Sequence, residues 1–291
     1  MRFEKIQLNY NTDISIVEYQ NLDSGSFIQF TECTWNELVN RLQIPKISQN
    51  KYSRNTALYG DVIDGIDKYG NQKQKYREDK NIIYRNVIVL DYDDISDLKA
   101  LHNSIREQLS NVSWFWHTTF SHTTDTPRIR LLVPLDESIN AEEYRICSKV
   151  VANKIGHKVD EGSYQPSRCM ALPVIKHKDA IYIYQYNDAP ILNKSILAEW
   201  YKNVGVDSKN NIKLKFNKRD DEYWKSISYG VTTGSRNNAL TSIIGHLFNK
   251  GVNDHLIYGL AYNYGKMCQP PISDKEINTT FQSIFKKHYK L

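Results

Sequence analysis

The stretch Val87-Ile88-Val89-Leu90-Asp91-Tyr92-Asp93-Asp94 constrains this chain more than any other. Three of its four apolar residues are β-branched, so it reads as a buried strand. Side chains on a strand alternate between faces, which puts Asp91 and Asp93 on one side and Tyr92 on the other. The two carboxylates then stand about 6.6 Å apart along the strand, within reach of a pair of divalent cations. A buried strand that ends in three acids needs something positive to offset their repulsion. Magnesium or manganese, hard ions that prefer carboxylate oxygen, would meet that need. The plainer alternative is a strand that merely ends in a polar turn.

On either side of this strand the pattern alternates between strand and helix. Ile6–Tyr10, Ile14–Tyr19 and Phe27–Phe30 read as strands or irregular edge pieces. Thr34-Trp35-Asn36-Glu37 has the form of a capping box, and Leu38, Val39 and Leu42 follow on one helical face. Residues 45–80 are polar and basic, with one strand near Ala57–Ile63; they are either a solvated loop or a basic approach to an anionic substrate. Ser96 can cap a helix that runs through Leu109, with Leu98, Leu101, Ile105 and Leu109 together. The strand Val112–Thr118 leads into a polar loop carrying Ser121 and His122. The loop then gives Pro127-Arg128-Ile129-Arg130 and the strand Leu131–Leu135. Arg128 and Arg130 share a face of that strand. They suit phosphate, with a salt bridge to the aspartates as the plainer alternative; a lone histidine such as His122 usually belongs to a surface loop.

Asn140 opens a helix that runs to about Gly156, and Val159-Asp160 and a Gly/Pro/Ser loop with Arg168 follow. Residues 180–186 read as a strand and Ser195–Asn203 as a short helix. Residues 204–218 lack periodicity, and beyond them the spacing is helical throughout. The predicted domains are therefore a catalytic-type domain over 1–205, a linker over 206–218 and a helical domain over 219–291.

Composition narrows the function classes. A net charge of +5 permits a polyanionic partner without demanding one. Cys33, Cys147, Cys169 and Cys268 form no CxxC pair, which argues against a zinc knuckle or a disulfide framework. No apolar run approaches a membrane span and the start has no signal-peptide pattern, so a cytoplasmic protein without a membrane partner is expected.

The order Asp91-x-Asp93, His122 followed by Pro-Arg-x-Arg, and Val159-Asp160 resembles the archaeo-eukaryotic primase superfamily, in the form carried by plasmids, phages and other mobile elements. The likeness spans about residues 30–190 and includes Pro166-Ser167-Arg168-x-Met170-x-Leu172-Pro173. Trp224, Gly230-Val231, Gly234-x-Arg236-Asn237 and the late Glu276-Ile277 and Ser283-Ile284 resemble the small helical domain that follows such catalytic domains. The zinc-binding insertion of cellular primases, the Ser-Gly form of some second motifs and a GxxxxGK[ST] phosphate loop are all missing.

The resemblance implies an α+β fold, an RRM-like palm with an antiparallel or mixed sheet and helices on one side, followed by an all-α domain. It implies a DNA primase or primase-polymerase, with Asp91, Asp93 and Asp160 holding two Mg2+ or Mn2+ ions. His122 and Ser121 would contact the triphosphate, with Arg130 and Arg168 as phosphate clamps and Arg128 and Lys51 as further contacts. The implied partners are a single-stranded DNA template, NTP or dNTP, and a replicative helicase on a separate chain or in a downstream domain. Two rival readings remain: a DNA-binding replication initiator with an idle site, and a rolling-circle nicking enzyme. The second needs a pair of metal-binding histidines, whereas His117 and His122 are well separated and His177 stands alone.

Overall fold

The computed structural model describes residues 4–23, 25–204, 221–249 and 252–289. It divides into two compact units, Met1–Phe216 and Asn217–Leu291. The linker expected over 206–218 lies outside the described residues.

The first unit is an α+β domain built on one large sheet. Its strands are β1 (Asp13–Tyr19), β2 (Phe27–Thr34), β3 (Thr56–Val62), β4 (Ile82–Tyr92), β5 (Trp114–Thr118), β6 (Ile129–Ile139), β7 (Met170–Ala171) and β8 (Tyr184–Asn187). The spatial order is β8-β5-β6-β4-β3-β1-β2, and every pairing in it is antiparallel. The short β7 pairs with the start of β3, while the end of β3 pairs with the start of β4. Gly60 stands where β3 meets β4, because a Cβ there would lie 2.1 Å from the Tyr84 carbonyl oxygen.

Four helices accompany the sheet: α1 (Trp35–Gln43), α2 (Leu98–Gln108), α3 (Ala141–Ile155) and α4 (Lys194–Val204). They cover both faces. Ile88, Leu90 and Tyr92 of β4 pack with Leu101 and Ile105 of α2, with Val150 and Val151 of α3, and with Leu197 and Trp200 of α4. Val87 and Val89, on the opposite face, pack with Trp35, Leu38, Val39 and Leu42 of α1. Helices on both faces, rather than on one side as the sequence predicts, correct that part of the fold reading. Burial on both faces is why this strand is a continuous apolar run rather than an alternating one.

Capping follows the sequence closely. Thr34 and Glu37 exchange hydrogen bonds at the start of α1, as do Asn140 and Glu143 at the start of α3. The cap of α2 is Asp97, whose carboxylate accepts from the Lys99 and Ala100 amides; Ser96 lies one residue outside. Ile6–Tyr10 forms no strand. Its backbone is taken by side chains: Asn40 Oδ1 accepts from the Ile6 amide, and the Asp188 carboxylate accepts from the Asn9 and Tyr10 amides.

The second unit contains α5 (Asp221–Ile227), α6 (Arg236–Asn249), α7 (Asp254–Met267) and α8 (Asp274–Tyr289). Leu240, Ile244, Ile257, Ala261 and Ile277 form a core of their own, with Trp224 packed against it. The Trp224 ring also lies 4.6 Å from that of His246. Among the described residues no helix is long and apolar enough to cross a membrane.

Candidate functional site

The register of the sheet assembles a polar row on the α1 face. Tyr184 pairs with His117, His117 with Arg130, and Arg130 with Asp91. The alternation that sends Val87 and Val89 under α1 sends Asp91 the same way, two residues further on. Beyond Asp91 this face opens into a cleft. Its lining includes Lys51, Asp91, Asp93, His117, Phe120, Ser121, Arg128, Arg130 and Arg168, closed on one side by residues 169–174.

Asp91 and Arg130 form a buried pair, each 7% exposed. Arg130 Nε donates to Asp91 Oδ1 at 2.6 Å and Nη2 to Oδ2 at 2.9 Å, a two-pronged contact. The third arm of the guanidinium reaches the Ala171 carbonyl oxygen and so ties β7 to β6. The backbone of Asp91 is fixed as well. Its amide donates to Ser163 Oγ at 2.9 Å, and its carbonyl accepts from the Asp160 amide at 2.9 Å.

Asp93 is more open, with Arg128 Nη1 at 3.3 Å. Burial, and next the Asp91 charge, raise its pKa above the ordinary aspartate value; Asp160 adds to this and Arg128 opposes it. Asp160 caps the turn Glu161–Tyr164 by accepting from the Gly162 amide at 3.1 Å, and Arg168 Nη2 lies 3.7 Å from its carboxylate. Each of the three aspartates therefore faces its own arginine.

The cleft gathers most of the residues the sequence singled out, with two exceptions. Asp160 touches Asp91 through the backbone but is not part of the lining. His122 lines a separate depression with Ser96, Thr124, Pro127, Ile181 and Ile183. There its Nδ1 accepts from the Arg128 amide at 3.1 Å, and burial lowers its pKa. This contact, with the Thr119 amide donating to the Arg128 carbonyl, closes the loop and carries Arg128 toward Asp93. His117 is the histidine at the cleft, 2% exposed. Burial, and next the Arg130 charge, push its pKa down to about 3, so the ring is neutral. Its place was legible in outline, because alternation along Trp114–Thr118 puts it on the face of Phe115.

Four cationic side chains and two carboxylates line the cleft, which leaves a surplus of two positive charges. That balance suits a phosphate-rich ligand. Two carboxylates on one face are also the right donors for a hard divalent cation. Both Asp91 oxygens retain a lone pair beyond the one Arg130 uses. Yet among the described residues no group of three or more His, Cys, Asp or Glu side chains is placed to hold a metal ion. Asp91 and Asp93 fit a cation by chemistry and face, whereas the Asp160 carboxylate is turned to the Gly162 amide and Arg168.

A family model described as the VapE N-terminal domain matches residues 1–209. A second, Primase C terminal 1 (PriCT-1), matches residues 225–290. No curated protein matches the chain. Among solved structures, the AEP domain of the Cyanophage S-2L Primase-Polymerase (PrimPol) is similar at 11% identity. That likeness covers 65% of this chain and 89% of that one, with a TM-score of 0.35.

Proposed function

The chain belongs to the VapE N-terminal domain family and carries a primase C-terminal domain behind it, and on that premise we propose that it is a template-directed primase-polymerase. The coarse assignment, a primase-type replication protein, is supported by the two domains together. The observation that carries the finer reading is the cleft, where Asp91 and Asp93 converge with Lys51, Arg128, Arg130 and Arg168.

The arginines divide by the strength of their pairing. Arg130 is buried in a two-pronged contact, and its role is to hold Asp91 in place. Arg128 at 3.3 Å and Arg168 at 3.7 Å are looser and partly exposed. Such pairs are worth about 0–1 kcal/mol, so a triphosphate outcompetes them readily. Arg128, Arg168 and Lys51 would then bind the triphosphate, with Ser121 adding a hydroxyl. His122 acts by ordering the loop that presents Arg128. Divalent cations held by Asp91 and Asp93 would supply activation of the primer 3′-hydroxyl and stabilisation of the leaving pyrophosphate. The residues' own contribution is position and charge.

The test is a gel of labelled NTP or dNTP incorporation on a single-stranded template, with magnesium or manganese, with and without primer. Template-dependent products are expected, and their absence under every condition removes the polymerase reading. That outcome would favour the second reading, a DNA-binding initiator with an idle site. The pairing of each aspartate with an arginine is the observation in its favour, because such a site is neutralised without a metal.

The helical unit offers a further prediction. A nucleic-acid-binding module on the same chain raises the local concentration of template and first nucleotides. A chain ending near residue 209 is expected to extend a supplied primer normally but to start new primers at about one tenth of the rate or less. Equal initiation by the shortened chain would leave the tail as a spacer or docking unit.

A further inference from the structure

The basic segment 45–80 resolves in the structure into residues with partners and two with an outlook. Lys75 pairs with Asp61, Lys80 with Glu78, and Lys73 with Asp67. The guanidinium groups of Arg54 and Arg77 donate to backbone carbonyls. Lys51 lines the cleft. Lys68 sits at the tip of a small hairpin whose strands are Gly65–Ile66 and Gln72–Lys73.

That tip is rigid by construction. Asp67 Oδ1 accepts from the Tyr69 and Asn71 amides, both at 2.9 Å, and Asn71 Nδ2 donates to Oδ2 at 3.2 Å. Gly70 takes φ +85, a turn conformation open to glycine. The carboxyl of Asp67 is held below the usual range, chiefly by the Asn71 amide. On this frame Tyr69 is 77% exposed and Ile66 59%. The Lys68 ammonium lies 5.0 Å from the Tyr69 ring centroid. The chain that leaves the hairpin is fastened beside the cleft. Arg77 donates to the carbonyls of Leu22 and Ser167, whose neighbours include the cleft residue Arg168.

We propose that the Lys68–Tyr69 hairpin tip is a contact site for single-stranded nucleic acid, with the Tyr69 ring stacking on an unpaired base and Lys68 meeting the adjoining phosphate. An aromatic ring held clear of the surface offers a flat face that any base can stack on. The neighbouring ammonium supplies the charge that a phosphate backbone requires. One tyrosine and one isoleucine are far too small an apolar area for a stable protein interface, which takes about 800 Å² per partner. They are enough for one base. The choice of DNA as the strand rests on the primase reading; the geometry of the tip does not.

The test is fluorescence anisotropy of the full chain with a labelled single-stranded oligonucleotide, in buffer free of metal and nucleotide. Tyr69→Ala is expected to weaken binding about 5- to 100-fold, and Tyr69→Phe to stay within about twofold, because the phenyl ring still stacks. Lys68→Ala should flatten the salt dependence by roughly one phosphate contact. Tyr69 is exposed, so thermal melting of these variants should match the parent. No binding by the parent, unchanged affinity in Tyr69→Ala, or an equal loss on duplex DNA would each overturn the proposal. Nucleotide incorporation by the parent, scored in a separate reaction, reports on the cleft chemistry, so failure of the cleft and failure of the tip are read separately.

Discussion

Replacing Arg130 with methionine is expected to lower folding stability by about 3–5 kcal/mol, because it leaves the Asp91 carboxylate buried without its partner. Asp91 and Arg130 lie side by side on β4 and β6, each nearly closed off from water, with both prongs of the guanidinium engaged. Arg130 also holds the Ala171 carbonyl, so the join between β6 and β7 weakens with it. For a domain of this size the loss corresponds to a drop of about 6–20 °C in melting temperature. Removing both partners, Asp91→Asn with Arg130→Met, should recover much of that loss, since no buried charge then remains. Added magnesium or manganese should raise the melting temperature of Arg130→Met more than that of the parent, if Asp91 accepts a cation. A melting temperature within about 2 °C of the parent would show that the pair does not anchor the site.

The acidic strand was legible because its two signals, apolar run and carboxylate spacing, lie within eight residues. Capping boxes were legible for the same reason: Thr34 with Glu37 and Asn140 with Glu143 are each three residues apart. The partners of the aspartates were not. Arg130 is 39 residues from Asp91, and only the register between β4 and β6 decides that they meet. That register includes a bulge between Arg85 and Val87, which no local pattern announces. Periodicity also cannot say which face of the sheet a helix will cover, so α1 opposite the other three helices was invisible. His122 and His117 differ in the same way. Chain order favoured the loop histidine, while the sheet's alternation brought the strand histidine to the cleft.

Asp93→Asn separates a carboxylate kept for chemistry from one kept for folding. Asp93 stands beside Asp91 at the mouth of the cleft, and its charged form is disfavoured by burial and then by Asp91. A carboxyl whose folded-state pKa lies above its unfolded value favours the fold most while protonated. That contribution is present below the ordinary aspartate range and is lost as pH rises through the raised value. At neutral pH the charge is therefore a burden on the fold, eased only in part by Arg128. Asparagine keeps the shape and removes the charge. The variant is expected to melt at or above the parent temperature at neutral pH, with the pH dependence from this group gone. Template-directed synthesis should fall by about 10³-fold or more, the scale on which removing a charge-stabilising group from an active site acts. Triphosphate binding through Lys51, Arg128 and Arg168 should survive, because those cations stay in place. Incorporation at the parent rate would take Asp93 out of the chemistry. A clear loss of stability at neutral pH would instead assign it to the fold, as the partner that holds Arg128.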